Sequence, residues 1–221
     1  MHDWSVILPP IAISIKVALA SSLIVFLAAA AAARWMSRAS FPGKTIIETL
    51  LLLPLVLPPT VVGFVLLMAL GRRSWLGQAY EWLTGQPIIF TWGAAVIAAA
   101  VVAFPLAYRT MRAGFDAVDQ EVEDAARAQG AGEWQVFRHI TAPLAYRSLT
   151  GGYILGFARG LGEFGATLMI AGNIPGRTQT IPTAIFVAVE GNETLLAWIW
   201  AGAIVLFSFL MLLLAGLLER R

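Results

Sequence analysis

IAISIKVALASSLIVFLAAAAAA, residues 11–33, is a run of twenty-three residues with a single charge, Lys16. An α-helix rises about 1.5 Å per residue, so roughly 20 apolar residues cross a hydrocarbon core about 30 Å thick. The run is long enough, and a helix apolar on every side belongs in lipid or a large core. Four more stretches pass the same test: 46–70, 88–108, 148–172 and 195–218. The rest of the chain agrees, with 59% hydrophobic residues, 13% charged and a mean hydropathy of +0.78. Soluble domains are about 45–50% apolar and about a quarter charged. The expected fold is all-α: one polytopic membrane domain over residues 1–221 with about five transmembrane helices.

Lysine and arginine set a direction. If the first span enters from outside, the inner segments hold Arg34, Arg38, Lys44, Arg109, Arg112, Arg127, Arg138, Arg147, Arg220 and Arg221. The outer segments then hold only Arg72, Arg73 and Arg177. Positive charge favours the cytoplasm, which puts the N-terminus outside and the C-terminus inside. Trp4, Trp75, Trp82, Trp92, Trp198 and Trp200 fall near outer ends and Trp35 near an inner one, as an interfacial belt does. Residues 181–189 are apolar but too short to span, and read as a re-entrant or interfacial piece on the outer side. Asp3, with no basic residue, precedes a first run longer than the roughly 7–15-residue core of a signal peptide, so no cleavage is expected.

Absences narrow the chemistry. With no cysteine there is no disulfide, thiolate metal site or cysteine nucleophile. His2 and His139 are the only imidazoles, so neither a metal nor a cofactor on this chain is expected. A net charge of +2 is too small to argue for nucleic acid. Gly43-Lys44-Thr45 is a fragment of a phosphate loop whose leading glycine would fall at Arg38. No His-Glu-x-x-His helix or Gly-x-Ser-x-Gly elbow is present, and no catalytic residue is expected.

Residues 109–147 form the longest polar interval. Asp116 and Asp119 can cap a helix, and Glu121, Glu123 and Asp124 load its early turns with the charge its dipole favours. Val118, Val122, Ala125 and Ala126 repeat at helical spacing as a weakly apolar face. Gly130 and Gly132 break that helix. A second begins near Glu133, carries Trp134 and Phe137 on one side, and is closed by Pro143.

This loop resembles the cytoplasmic loop of bacterial ABC importer permeases, which reads Glu-Ala-Ala, three residues, Gly, nine residues, Ile-x-Leu-Pro. Here the order is Asp124-Ala125-Ala126, three residues, Gly130, nine residues, Ile140-Thr141-Ala142-Pro143. Asp124 stands for Glu and Ala142 for Leu. FPGK (41–44), LPLVLPP (53–59), LGEFGAT (161–167) and NIPG (173–176) are similar to the molybdate branch, and sulfate and tungstate permeases share much of this pattern.

The resemblance implies a type I importer permease fold and a homodimer. It implies two cytoplasmic subunits that hold the ATP, a periplasmic or extracellular substrate-binding protein, and passage of a tetrahedral oxyanion by alternating access. Molybdate is the first candidate, with tungstate and sulfate as alternatives. The loop would couple to the ATPase through Glu123, Asp124, Ala125, Ala126, Gly130, Glu133, Trp134, Phe137, Ile140 and Pro143. The small residues would allow close approach, and Trp134 and Phe137 would anchor the partner. A secondary transporter driven by an ion gradient is the alternative from another class. It has no use for such a loop.

Within the spans, Pro54, Pro58 and Pro59 interrupt the second helix. Pro58, Pro59 and Thr60 either shape a pathway or merely kink the helix. Gly152, Gly156 and Gly160, four apart, suit close helix contact, within one subunit or at the centre of a dimer. Arg159 and Glu163 lie four apart at membrane depth, where charges are costly and usually pair. They read as a structural ion pair or as part of an anion path. Lys16 is expected to snorkel to the outer interface. Arg177, with Thr178 and Thr180 as hydroxyl donors, would meet an anion on the outer side. Arg72 and Arg73 share that face.

Overall fold

The computed structural model describes residues 4–219, and their side chains except at 214, 215 and 217–219. His2, Asp3, Arg220 and Arg221, used above, lie outside the described residues. Among the described residues every regular element is helical.

Three helices form the centre. α1 runs Trp4–Arg38, α5 Trp92–Asp116 and α9 Tyr146–Leu161. The three pack on one another, and α5 buries a ladder of small residues that includes Ala95, Ala99, Ala103 and Ala107. Opposite them sit Ala29 and Ala33 of α1 and the glycines of α9. In lipid, helices associate by close packing rather than by expelling water from apolar surface, and small side chains permit it. A Cβ on Gly152 would lie 2.7 Å from the Met111 side chain, and one on Gly114 would lie 2.2 Å from Cβ of Ser148. Gly156 faces Ala107 and Val25, and Gly160 faces Ser21. The glycine stripe is therefore occupied within the chain and cannot also seat a second copy. The opposite face of α9, with Leu155 and Ala158, stays exposed.

Two of the spans are broken. Residues 46–70 become α2 Lys44–Val56 and α3 Pro59–Leu70, bent by 114°. A residue before proline is pushed out of the α region, and Leu57 and Pro58 both precede one. Both are extended, with ψ 142° and 136°, so the break follows from Leu57-Pro58-Pro59. Proline at the first helical position then suits the start of α3. Residues 148–172 become α9 and α10 Gly165–Ala171, bent by 60° with no proline at the joint. α2 packs on the Met111–Phe115 end of α5, and α3 on its Ala94–Val102 end. The two halves thus cover successive levels of one helix.

Outside the spans, α4 Trp75–Thr84 is a short helix that hydropathy alone does not announce. The Ser74 hydroxyl accepts from the Gly77 amide at 2.9 Å to start it, and left-handed Gly85 (φ 73°) ends it. Trp75 and Trp82 are exposed on it. The apolar piece read at 181–189 is a helix, α11 Ile181–Glu190. It packs with Ile7 of α1 and Trp200 of α12, which runs Thr194–Glu219. The Ser14 hydroxyl accepts from the Ile181 amide at 2.7 Å, and the Trp200 indole donates to the Ile7 carbonyl at 3.1 Å.

Candidate functional site

The polar interval folds into a lobe. In α6, Gln120–Ala128, the Asp119 carboxylate accepts from the Glu121 amide at 2.9 Å, while Asp116 instead ends α5 and pairs with Arg112. Gly130 takes φ +92°, a conformation costly for other residues, and turns the chain back. The second helix begins as α7 Glu133–Val136, runs through a π-turn Phe137–Thr141 and ends as α8 Ala142–Leu144. Pro143 does not close it. It sits early in α8, directly after the π-turn, and the chain stays helical through Leu144.

The expected apolar face does not dock α6. Val118 is buried, but Val122 is exposed. The residue turned inward is Glu123, 1% exposed. Arg38 reaches its carboxylate at 2.9 Å, Arg34 at 3.3 Å and Arg127 at 3.5 Å, and the Thr141 hydroxyl donates to it at 2.5 Å. Burial pushes this carboxyl up. The Thr141 hydrogen bond and the Arg34 and Arg38 charges outweigh that and hold it below the ordinary value. One side chain thus ties α6, the π-turn and the Arg38 end of α1 together. Arg127 also grips Asp124 at 2.6 Å and Glu133 at 2.7 Å, and this bond holds the Glu133 carboxyl below its usual value.

The outward parts of the lobe differ from its clasp. Asp124, Ala125, Gly130, Glu133 and Pro143 are exposed, and Ala126 and Ile140 are half-buried. Trp134 is 68% exposed and stacks at 5.6 Å on Phe137. Phe137 leans inward on Phe115 at 6.5 Å, so it supports the lobe and leaves Trp134 as the free aromatic. A hollow of about 430 Å³ lies between the two lobe helices, beside Ala126, Gly130, Gln135, His139 and Ile140.

The joints of the two broken spans meet. A Cβ on Gly165 would lie 3.1 Å from Cβ of Pro59 and 3.4 Å from the Thr60 amide, and one on Gly63 would lie 2.8 Å from Cα of Ala166. Beside this contact Arg159 pairs with Glu163 at 2.8 Å. The other Glu163 oxygen accepts from the Ala166 amide at 2.9 Å. Glu163 is buried, and its carboxylate both takes up a first-turn amide of α10 and answers Arg159. Arg159 is only partly covered, and Pro58, Pro59 and Thr60 are exposed. The chain thus brings all five candidate pathway residues to one junction of interrupted backbone. At membrane depth such backbone is tolerated against protein or a wet cavity.

On the other side, Thr178 and Thr180 are not free donors. Thr178 is fully buried, accepting from the Ile174 amide at 3.0 Å and donating to the Gly172 carbonyl. Thr180 caps α11 and meets Thr183 at 3.3 Å. Arg177 remains exposed, and Arg72 pairs with Glu81. The Lys16 ammonium lies 4.0 Å over the Trp92 ring. Sequence reasoning missed the Glu123 clasp, although Arg34 and Arg38, one turn apart beside an acidic loop, were its signal.

Comparison with known proteins follows the same outline. Residues 24–221 match the family of binding-protein-dependent transport system inner membrane components. YvgM of Bacillus subtilis (strain 168), assigned provisionally as a molybdenum transport system permease protein, is 57% identical over 203 residues, 92% of this chain and 89% of its own. The molybdenum transport system permease protein ModB of Escherichia coli (strain K12) is 48% identical over 160 residues, 71% and 69% of the two chains. A chain of a bacterial alginate ABC transporter, solved in complex with an alginate pentasaccharide-bound periplasmic protein, superposes with a TM-score of 0.76. The match covers 97% of this chain and 78% of that one at 16% identity.

Proposed function

Because the chain belongs to the family of binding-protein-dependent transport system inner membrane components and is a multi-pass membrane transport permease, we propose that it forms the pore of an ATP-driven importer for a tetrahedral oxyanion, molybdate first. The observation that carries this is the junction where Pro59 and Thr60 abut Gly165 beside the Arg159–Glu163 pair. Two helices interrupted at one level offer joints at which a path can open and shut. Arg159 supplies the cation that draws an oxyanion, and Glu163 limits how tightly it is held. The chain works as a homodimer, with its N-terminus outside and C-terminus inside.

ATP acts on two cytoplasmic partner subunits. They dock on residues 109–147, where Trp134 offers the anchor and Asp124, Ala125 and Gly130 the open surface. The Glu123 clasp carries their motion to α1, and alternating access follows. A binding protein delivers the anion from outside. The molybdenum relatives support the choice of substrate.

The test is ATP hydrolysis by the reconstituted permease with its ATPase and binding protein, under molybdate, tungstate and sulfate in turn. Stimulation by molybdate or tungstate alone is expected. Stimulation by sulfate would replace the substrate and keep the importer. Uptake driven by an ion gradient without any ATPase would overturn both. Gly130→Trp should abolish transport while the protein stays folded in the membrane. A Cβ there meets nothing within 4 Å, so the indole projects onto the docking face, and backbone strain costs only about 1–2 kcal/mol.

A further inference from the structure

On the outer side a cavity of about 510 Å³ opens between α1, α4, the start of α5 and the loop before α11. Lys16 of α1 and Arg177 of the loop both line it, together with Tyr80, Gln86, Thr91 and Trp92, and no carboxylate does. Among the described residues, neither Lys16 nor Arg177 has an acidic partner within 4.0 Å, whereas Arg34, Arg38, Arg72, Arg112, Arg127 and Arg159 each have one. Two cations that share a walled space without a counter-charge repel each other and focus the field on whatever anion enters. The Trp92 ring steadies the Lys16 ammonium at the wall without neutralising it. The start of the 25-residue helix α5, capped by Thr91, turns its positive end to the same space.

We propose that this cavity binds a tetrahedral oxyanion, with Lys16 and Arg177 as its charged contacts and Gln86 and Tyr80 as polar neighbours. The volume exceeds that of several waters, at about 30 Å³ each, so the anion enters with part of its hydration. The proposal deepens the importer reading. It rests on that reading for calling the anion a transported one, which the cavity would receive before the junction at Glu163. Two sources share this chemistry: a free oxyanion, and the phosphate of a lipid headgroup at the outer interface.

The test uses the full chain in phospholipid-free micelles, with equilibrium dialysis against radioactive molybdate, and a parallel arm measuring retention of phosphatidylglycerol. Wild type should bind molybdate, and Lys16→Gln and Arg177→Gln should each weaken binding about ten-fold, the size of one lost charged hydrogen bond. Lys16→Arg should stay within about two-fold, and added salt should weaken the wild type progressively. Retention of phosphatidylglycerol without molybdate binding, lost in both variants, would assign the site to headgroup phosphate. Binding of neither, or binding unchanged in both Gln variants, overturns the proposal. Molybdate-stimulated ATP hydrolysis in the assembled complex separates the two claims. Stimulation without binding here would leave the importer standing and remove the cavity, and binding without any ATPase response would do the reverse.

Discussion

Between α2 and α3 the chain turns through 114° at Leu57-Pro58-Pro59, and between α9 and α10 through 60° at Gly162-Glu163-Phe164. The first turn is a matter of backbone sterics. Prolines deny the α region to the residues before them, and no side chain has to hold the bend. The second has no such constraint. It persists because the Glu163 carboxylate bonds the Ala166 amide and answers Arg159. One joint is written into the covalent chain and the other depends on a side chain staying charged and in place. The second is therefore the one that a ligand or a mutation can release.

Breaking the charged joint should cost most. Glu163→Ala removes the acceptor of the Ala166 amide and leaves Arg159 unanswered. Breaking a buried pair costs about 3–5 kcal/mol, and the partial exposure of Arg159 argues for the lower end, about 3 kcal/mol. Thermal unfolding in detergent reads this, and a loss below about 1 kcal/mol would remove Glu163 from its place in the comparison. Next comes the contact between the joints. Gly165→Leu would press on Pro59 and Thr60 and cost about 2 kcal/mol by overpacking. Pro59→Gly should relieve part of the smaller cost of Gly165→Ala, and additive effects would show that the joints do not touch.

The proline joint should respond less. Pro58→Ala should cost about 0.5–1 kcal/mol, mainly by loosening the unfolded chain, with the bend retained while Pro59 remains. Because the chain has no cysteine, a pair of introduced cysteines at Leu50 and Val65 can be spin-labelled cleanly and their distance followed. A straightened distance in the single variant would sink the steric account. The smallest effect lies outside the membrane. The Glu123 carboxyl is held below its ordinary value in the folded lobe, so it contributes stability above its unfolded pKa of about 4.3. That contribution disappears as pH falls from there through the depressed value. Hydrogen exchange of α6 should be flat from pH 8 to 5 after correction for intrinsic rates, and should rise only in more acidic buffer.

Much of this was legible in residue order, for reasons of scale. Apolar runs of span length and the distribution of arginine are summed properties, and they outlined a polytopic helical chain, while Leu57-Pro58-Pro59 announced its own break. What stayed hidden were choices made by single contacts. Nothing in LGEFGAT reveals that the glutamate turns to take up an amide of the next helix, because that needs the first helix to have already stopped. Glu123 looked like one more solvated acid of a helix start, and it became the buried centre of the lobe only when α1 continued past its apolar run to bring Arg34 and Arg38 alongside. Gly152, Gly156 and Gly160 lie against α5 and α1 of the same chain, and spacing along one helix does not say which helix lies opposite.

α1 runs without a joint, and at about 1.5 Å per residue its 35 residues measure roughly 52 Å. It behaves as a strut with no internal hinge. Its Arg38 end is fastened to the lobe at Glu123, and Lys16 and the Ser14 hydroxyl that receives α11 lie in its other half. Any displacement of the lobe that keeps the Glu123 bonds therefore moves that far half with it, while the two jointed spans beside the strut can take up the difference by folding at their elbows.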